Sequence, residues 1–508
     1  MCKIKKCKNH FANLSNNETN NREKKFINIK KKGFNFPNDF KKNETSHFIF
    51  KKYQNKTLKE LNILSIYVSV AGRMIQRRIM GKASFFTLQD MEGKIQIYIT
   101  EKEMTDEFYN EHFKKIDIGD ILGVQGVLFK TRTNELSIFC NFLKILNKSL
   151  KPLPDKFHGL SNQEKRYRQR YLDLISNQKL FNVFKMRSKI IMEIRKFMTE
   201  NKFLEVETPM LQNIPGGASS KPFRTYHNEL NKEMYLRIAP ELYLKQLIIG
   251  GFERIFELNR NFRNEGISTR HNPEFTMMEV YIAYSDYKDM MILIENLLRN
   301  LTYSLFGTTK IKYDSHDFDF QIPFNKFTMK DAILKFNSNL NLSDLENLKK
   351  IQKIAKSIGI ELKKKWGIGQ IINQIFEKTV EKKLIQPTFI THYPIEVSPL
   401  ARRNNFDFNL ADRFEFFIAG YEIGNGFSEL NDVQDQKNRF LNQIENKKRE
   451  MNQNILYDEN YIEALEYGLP PTSGLGIGID RLIMILTNQT SIRDVILFPT
   501  LRSLKTNN

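Results

Sequence analysis

Apolar and polar residues alternate along three stretches of residues 62–147: SIYVSVAGRMIQRRI (65–79), ASFFTLQDMEGKIQIYI (83–99) and DILGVQGVLFKTRTNELSIFCNFLKIL (120–146). A period of two puts successive side chains on opposite faces, so these stretches predict strands. Turn residues at Glu92–Gly93 and Thr133–Asn134 divide them into five, and a short helical pattern over 101–115 falls between the third and fourth. Five strands with a helix after the third is the layout of an OB barrel, which commonly binds single-stranded nucleic acid. Phe85 and Phe86 are adjacent, so one of the two rings must face outward.

The pattern then changes. NKSLKPLPDK (147–156) carries two prolines and opens a linker, 148–178. Over 180–201 the period becomes helical, with Phe184, Ile190, Ile191, Ile194 and Phe197 on one face. Residues from about 285 to 390 read as a mainly helical insertion, poor in chemical motifs. Strands return with RFEFFIAGYEIGNG, followed by a helix over about 432–450 and by GLGIGIDRLIMIL. Helices and strands thus mix through 179–508, an α+β pattern. Residues 1–61 form a basic, partly helical arm, whose stretch NREKKFINIKKKG (21–33) ends at a helix-stopping Gly33.

Composition sharpens this. A length of 508 residues implies about two to four domains. With 41% hydrophobic and 27% charged residues, the chain has the balance of a globular protein with an ample core. No apolar run reaches the roughly 18 residues that span a bilayer, and the Lys- and Asn-rich start resembles neither a secretory signal nor a presequence. Cys2, Cys7 and Cys140 are too few for a disulfide framework and fit a reducing, cytoplasmic location. Cys2 and Cys7 lack the second pair that a zinc site needs. The net charge of +21 suits a polyanionic partner, and residues 1–60 hold 16 Lys/Arg against 5 Asp/Glu. A general enrichment in Lys, Asn and Ile would raise the charge without any such partner.

Three segments carry the chemistry. In FRNEGISTRHNPEFTMMEVYIA (262–283), two apolar runs flank a polar loop holding Arg263, Glu265, Arg270 and His271. Two arginines on such a loop suit a polyphosphate, because guanidinium binds phosphate oxygens in pairs; a surface ion-pair network is the plain alternative. In RFEFFIAGYEIGNGFSELND (413–432), a two-residue turn at Ala419–Gly420 puts Phe417 opposite Glu422 and Glu415 on the face of Phe417. The two carboxylates become diagonal neighbours, about 7–8 Å apart at the backbone, able to converge on a hard cation such as Mg²⁺. Two solvated glutamates would be the alternative, except that Glu415 sits between Phe414 and Phe416–Phe417. In SGLGIGIDRLIMILTN (473–488), Gly474, Gly476 and Gly478 clear alternate positions so that a ligand can lie against the strand. Arg481 then stands at a helix N-terminus, which favours an anion. The spacing is neither a dinucleotide fingerprint nor a Walker A loop, and sheet packing alone would also use such glycines.

In order, these segments resemble the three motifs of class II aminoacyl-tRNA synthetases. Helix 180–201 with FLEVETP (203–209) is similar to motif 1, whose Pro209 position lies at the dimer interface in that family. Residues 262–279 are similar to motif 2 and 474–484 to motif 3. KMRSK (185–189) looks like the ATP loop of class I enzymes, but it lies inside the amphipathic helix with no His-x-Gly-His. Within class II, the resemblance to bacterial lysyl-tRNA synthetases (subclass IIb) covers nearly the whole chain, including IPGGA (214–218), RIAPELYLK (237–245) and GNGFSELND (424–432).

The resemblance implies an antiparallel sheet flanked by helices, an N-terminal OB barrel that binds the anticodon of tRNA(Lys), and a homodimer. It implies ATP and L-lysine as substrates, with Mg²⁺. Lysine would be activated as an adenylate, releasing pyrophosphate, and then passed to a terminal ribose hydroxyl of the tRNA. Arg263 would hold the lysine carboxylate and the α-phosphate, and Arg481 the γ-phosphate. Phe275 would stack on adenine, with Glu265, His271 and Asn272 also on ATP, and Glu415 and Glu422 would hold the metal. Gly217 and Glu279 would receive the α-ammonium, Asn425 the carboxylate, and Glu241, Tyr281 and Glu429 the ε-ammonium. Arg77, Phe85, Gln96 and Glu135 would read anticodon uridines. A buried ammonium needs paired carboxylates, and Glu429 replaces the arginine characteristic of the sister aspartate enzymes. That charge argues against an aspartate or asparagine ligase. The barrel argues against a paralogue that lysylates an elongation factor. The presence of Arg263, Arg481 and the Glu415–Glu422 pair argues against a non-catalytic RNA-binding relative. Ser219-Ser220-Lys221 departs from the family pattern, where an arginine stands at Lys221.

Overall fold

The alternation over 67–147 builds a closed barrel. Its strands are β1 (Tyr67–Met80), β2 (Ala83–Gln89), β3 (Lys94–Thr100), β4 (Ile121–Lys130) and β5 (Leu136–Asn147), in the order β1-β2-β3-β5-β4. Inward positions such as Val68, Val70, Phe86, Leu88, Ile97, Val124 and Ile138 form its core. Before it run α1 (Cys2–Lys31), α2 (Ser46–Tyr53) and α3 (Leu58–Leu64), and Ile49 and Leu61 join the same core. Gly33, at φ +95°, turns the chain after α1, and the Arg22 guanidinium of α1 donates to the carbonyls of Ile118 (2.8 Å) and Ser149. The computed structural model describes residues 2–503 apart from 105–108, 110–112, 155–159, 161, 219, 364 and 452–457. Residues 105–108 and 110–112 of the expected helix over 101–115, Ser219 and the side chains of Cys2 and Cys7 therefore lie outside the described residues.

One irregularity in β1 decides which residues face out. Met74 pairs with Leu88, but Gln76 pairs with Thr87, so Ile75 is an extra residue. A bulge of one residue exchanges the two faces of everything beyond it. Arg77 therefore lies opposite the buried Phe86, and Arg78 opposite the outward Phe85.

The chain divides into two units, Met1–Ser161 and Asn162–Asn508. The second opens with α4 (Gln163–Arg168), α5 (Arg170–Ser176) and α6 (Gln178–Glu200). Next come β6 (Leu204–Glu205), a small sheet of β7 (Leu211–Gln212), β8 (Arg224–His227) and β9 (Lys232–Leu236), and α7 (Glu241–Ile249). The hairpin β10 (Arg254–Phe262) and β11 (Glu274–Ala283) leads into α8 (Tyr287–Phe306). Residues 310–379 hold the pair β12 (Lys310–Tyr313) and β13 (His316–Asp319), then β14 (Asn325–Thr328), α9 (Met329–Phe336), α10 (Leu342–Glu346), α11 (Leu348–Ser357) and α12 (Ile368–Thr379). The chain closes with β15 (Thr388–Pro394), β16 (Leu410–Ile418), β17 (Tyr421–Ser428), α13 (Val433–Met451), α14 (Glu459–Glu466), β18 (Thr472–Gly478), α15 (Ile479–Leu486) and α16 (Ile492–Val495). Eight strands form one sheet, β14-β15-β16-β17-β18-β11-β10-β6, antiparallel except at its two edges.

The two faces of this sheet have different chemistry. Met278, Val280 and Ile282 of β11, Phe414 and Phe416 of β16, and Leu475 and Ile477 of β18 pack against α6, α8 and α15. The alternate positions, Phe275, Met277, Glu279 and Tyr281 of β11 with Gly474 and Gly476 of β18, face a cavity instead. Arg187, inside the KMRSK stretch, is a structural tie. It donates to Asp480 (2.6 Å) and Thr276 (3.0 Å), joining α6 to α15 and β11. Among the described residues no helix is long and apolar enough to cross a membrane.

Candidate active site

The cavity on the open face of the sheet measures about 630 Å³. Every residue expected from the catalytic half lines it: Gly217, Glu241, Arg263, Glu265, His271, Asn272, Phe275, Glu279, Tyr281, Glu415, Glu422, Asn425, Glu429 and Arg481. Strand pairing explains the convergence. Glu279 lies opposite Gly476, which lies opposite Asn425, which lies opposite Glu415. These four form one row across the sheet, with the glycine as its low point. Tyr281, Gly474 and Phe427 form the next row. A Cβ on Gly474 would overlap the Glu429 carboxylate and reach 2.7 Å from the Tyr281 ring. One on Gly217, at φ +81°, would come within 2.9 Å of the Glu241 Cβ.

One end of the cavity is dry and acidic. Glu241, Glu279 and Glu429 are 7%, 5% and 1% exposed. The Lys245 ammonium, on α7 one turn after Glu241, donates to Glu241 Oε1 at 2.7 Å and pairs with Glu429. The Tyr281 hydroxyl donates to Glu279 (3.3 Å). Burial pushes the Glu279 carboxyl up to about 8, Glu241 and Glu257 push the same way, and Arg263 opposes them. Burial also draws Glu429 well above the carboxylate range, against the pull of Lys245. Burial depresses the Lys245 ammonium, but Glu241 and Glu429 more than restore it. Two buried acids facing one amine leave room for a second cation.

The other end is basic and half-open. Arg263 lies 5.0 Å over the Phe275 ring, and among the described residues its buried Nε has no hydrogen-bond partner. Arg481 donates to the Glu422 carbonyl (2.6 Å) and carboxylate (3.3 Å) and lies 3.2 Å from His271 Nε2. Burial and the neighbouring arginines depress the His271 imidazole, which favours its neutral form. The Asn272 amide is already engaged, donating to Glu274 O and accepting from Thr500 N. Glu415 is lifted to about 7 by burial and by Glu422, with Arg413 opposing.

The expected geometry of the Glu415–Glu422 pair needs one correction. Phe417 does lie opposite Glu422, but Phe416 pairs with Gly424, so Ile423 is an extra residue. Glu415 consequently faces Asn425 instead of sitting one regular step from Glu422. The sequence pattern also left three residues unmarked. Lys245 was legible as the i+4 partner of Glu241. Arg413 shares a strand face with Glu415; it donates to Glu415 (2.6 Å) and to Asn425 Oδ1 (3.0 Å). Glu377 reaches the cavity from α12 in the insertion and had no motif to mark it.

On the barrel, Phe85 faces outward within an aromatic row: its ring lies 4.7 Å from that of Tyr98, and Tyr98 lies 5.6 Å from Phe139 and 5.8 Å from Phe129. Gln96 belongs to the same outer face, and its amide lies within 3.1–3.2 Å of the Glu135 carboxylate when oriented to donate. Arg77 is not with them. It lies on the Phe86 side of β1 and donates to the carbonyls of Phe113 and Ile116. The exposed arginine opposite Phe85 is Arg78.

Residues 162–502 match the family of class II tRNA synthetases (D, K and N), and residues 68–146 match the OB-fold nucleic acid binding domain. The lysine–tRNA ligase of Buchnera aphidicola subsp. Schizaphis graminum is 73% identical over 493 residues, covering 97% of this chain and 98% of that protein. The chain belongs to the class II lysine–tRNA ligase family. A second ligase of the family, from Buchnera aphidicola subsp. Acyrthosiphon pisum, is 70% identical over 99% of this chain, and that of Pectobacterium carotovorum is 58% identical over 96%.

Proposed function

We propose that this enzyme joins L-lysine to tRNA(Lys) in two steps, using ATP and releasing AMP and pyrophosphate. The observation that carries this reading is the meeting of two buried carboxylates, Glu241 and Glu429, in the same cavity as an arginine with an unpartnered guanidinium nitrogen, Arg263. The ε-ammonium of lysine enters the acidic end, between Glu241 and Glu429 and beside Tyr281. The α-ammonium takes the place of the Glu279 proton and lies against Gly217. Arg263 and Asn425 receive the carboxylate. ATP occupies the arginine end, its base on Phe275 and its phosphates toward Arg481, His271, Asn272 and Glu265.

In the first step a carboxylate oxygen of lysine attacks the α-phosphorus, the bond to the β-phosphate oxygen breaks, and pyrophosphate leaves. In the second, a terminal ribose hydroxyl of the tRNA attacks the adenylate carbonyl and AMP leaves. No protein nucleophile is needed. Positioning and charge neutralisation supply the rate, and losing one such electrostatic contact typically costs on the order of 10²–10³. The residues fit a divalent ion: Glu415 and Glu422 would hold Mg²⁺, and an acid that keeps its proton up to about pH 7 is one whose charge calls for a cation. When bound, the ion would neutralise phosphate charge as pyrophosphate departs.

Two further features support the whole reading. Leu204, Met210, Leu211, Tyr226 and Leu230, around the segment expected at a subunit interface, are all exposed; large apolar side chains left open there suit a homodimer. The aromatic row of the barrel suits stacked anticodon bases, with Gln96, Glu135 and Arg78 beside it to meet base edges. Pyrophosphate exchange against all twenty amino acids tests the function directly: lysine alone should support it. Sedimentation at micromolar concentration tests the dimer.

A further inference from the structure

The acidic end of the cavity contains a cation of its own, and the two-step reaction gives it no role. Lys245 is completely buried, a rare state for a lysine. Its ammonium touches the two carboxylates proposed to recognise the substrate, at 2.7 Å from Glu241 and in an ion pair with Glu429. It also lies 5.6 Å over the Phe427 ring and 5.9 Å over the Tyr461 ring. Among the described residues, the other ionisable groups around this end are Glu279 and Tyr281 on β11, Tyr461 on α14 and Asp458 at the rim.

Two carboxylates this close in a dry pocket do not both ionise unaided; one of them takes a proton and becomes neutral. A half-protonated pair can accept a hydroxyl or amide nearly as well as an ammonium. A fixed internal cation changes this. It draws Glu429 toward its charged state against the burial that favours the proton, and the two acids then face one positive charge where two would balance them. We infer that Lys245 is a specificity-determining positioning residue: its buried ammonium holds Glu241 and Glu429 as a charged pair that only a second, incoming ammonium completes. The inference rests on the reading of Glu241 and Glu429 as receivers of the ε-ammonium. Lys245 touches neither the reacting atoms nor ATP in this arrangement, so it acts on lysine recognition through its neighbours.

The test uses the full-length Lys245→Met variant, which keeps the bulk and removes the charge. Pyrophosphate exchange is measured from pH 6.5 to 9 with lysine and with 6-hydroxynorleucine, its neutral isostere. The KM for lysine should rise about tenfold or more at pH 7 and fall back at higher pH, as the acid pair gives up its proton. The kcat at saturating lysine should stay within about threefold, and the preference for lysine over the isostere should drop about tenfold. Equal losses for both amino acids, or a KM and pH profile like those of the unaltered enzyme, would overturn the inference. If the single variant does not fold, the Lys245→Met/Glu241→Gln variant removes one charge of each sign. It should fold and show a weakened preference; its failure to fold would mean that Lys245 serves packing alone. Exchange by the unaltered enzyme is the control: without lysine-dependent exchange there the underlying reading fails, whereas its presence with an unchanged Lys245→Met profile removes only the inference.

Discussion

The cavity holds two pairs of glutamates, Glu241 at the start of α7 with Glu429 just after β17, and Glu415 on β16 with Glu422 on β17, and the proposed reading gives them different cations. Glu241 and Glu429 are almost fully buried, share an ammonium from α7, and are walled by Tyr281, Phe427 and Tyr461. Glu415 and Glu422 lie between Arg413 and Arg481, and the Glu422 side chain is 43% exposed. Burial would make the first pair selective on the proposed reading, because an unmatched charge there costs several kcal/mol and an ammonium matches it. The solvated Glu422 would make the second pair tolerant on that reading, since a hydrated divalent ion and a polyphosphate could exchange ligands with water there. On the proposed reading the same residue type, in one cavity, discriminates at one end and neutralises at the other.

Reversing a charge at the dry end breaks the comparison hardest. Glu429→Arg would place a guanidinium against Lys245 and leave Glu241 to face both. An uncompensated buried charge costs about 3–5 kcal/mol, which corresponds to roughly 10²–10³ or more in lysine-dependent pyrophosphate exchange. ATP binding, followed by calorimetry, should change by less than about twofold. Loss of both together would mean that the two ends are not independent. The converse change, Glu415→Gln, should lower exchange by about 10² and raise the Mg²⁺ requirement. Lysine binding measured without ATP should be left as it was.

A gentler probe is pH. The Glu279 carboxyl stands at about 8 because it is buried near Glu241 and Glu257. Below that pH it carries a proton that an arriving α-ammonium must displace. Lysine affinity should therefore rise with pH up to about 8 and then level off, by at most about tenfold per unit. Calorimetry at pH 7 in two buffers of different ionisation enthalpy should detect release of about one proton. The Glu415 carboxyl, at about 7 for reasons of burial and of Glu422, gives the same sign for Mg²⁺ at a lower pH. An absence of proton release with lysine would mean that the α-ammonium lies elsewhere.

Much of this site is legible in the sequence, and the misses have a common cause. Alternation along 274–283 and 473–478 separates cavity positions from core positions because both strands are regular. It fails where a strand carries one extra residue. The bulge at Ile75 moves Arg77 inward and Arg78 outward, and the bulge at Ile423 changes the partner of Glu415. Nothing in GRMIQRRIM or YEIGNG marks either bulge, since each depends on what the partner strand presents. Lys245 escapes notice for another reason: an i,i+4 Glu–Lys pair usually means a solvated helix face, and only the packing of β17 and α14 over α7 makes it a buried one.

The barrel supplies the comparison with its smallest effect and its control. It belongs to the other unit of the chain, so a change there should leave both glutamate pairs untouched. Phe85→Ala removes one ring from the outward aromatic row; a base stacked on such a ring is worth about 1–3 kcal/mol. The KM for tRNA should rise about tenfold, while pyrophosphate exchange without tRNA stays at its original value. Arg78→Ala should act in the same direction, because Arg78 shares the face of Phe85. Arg77→Ala should instead lower the melting temperature by a few degrees, since its guanidinium holds the carbonyls of Phe113 and Ile116. If Arg77→Ala raised the KM for tRNA and Arg78→Ala did not, the bulge at Ile75 would be misplaced and the base-reading face would be the other one.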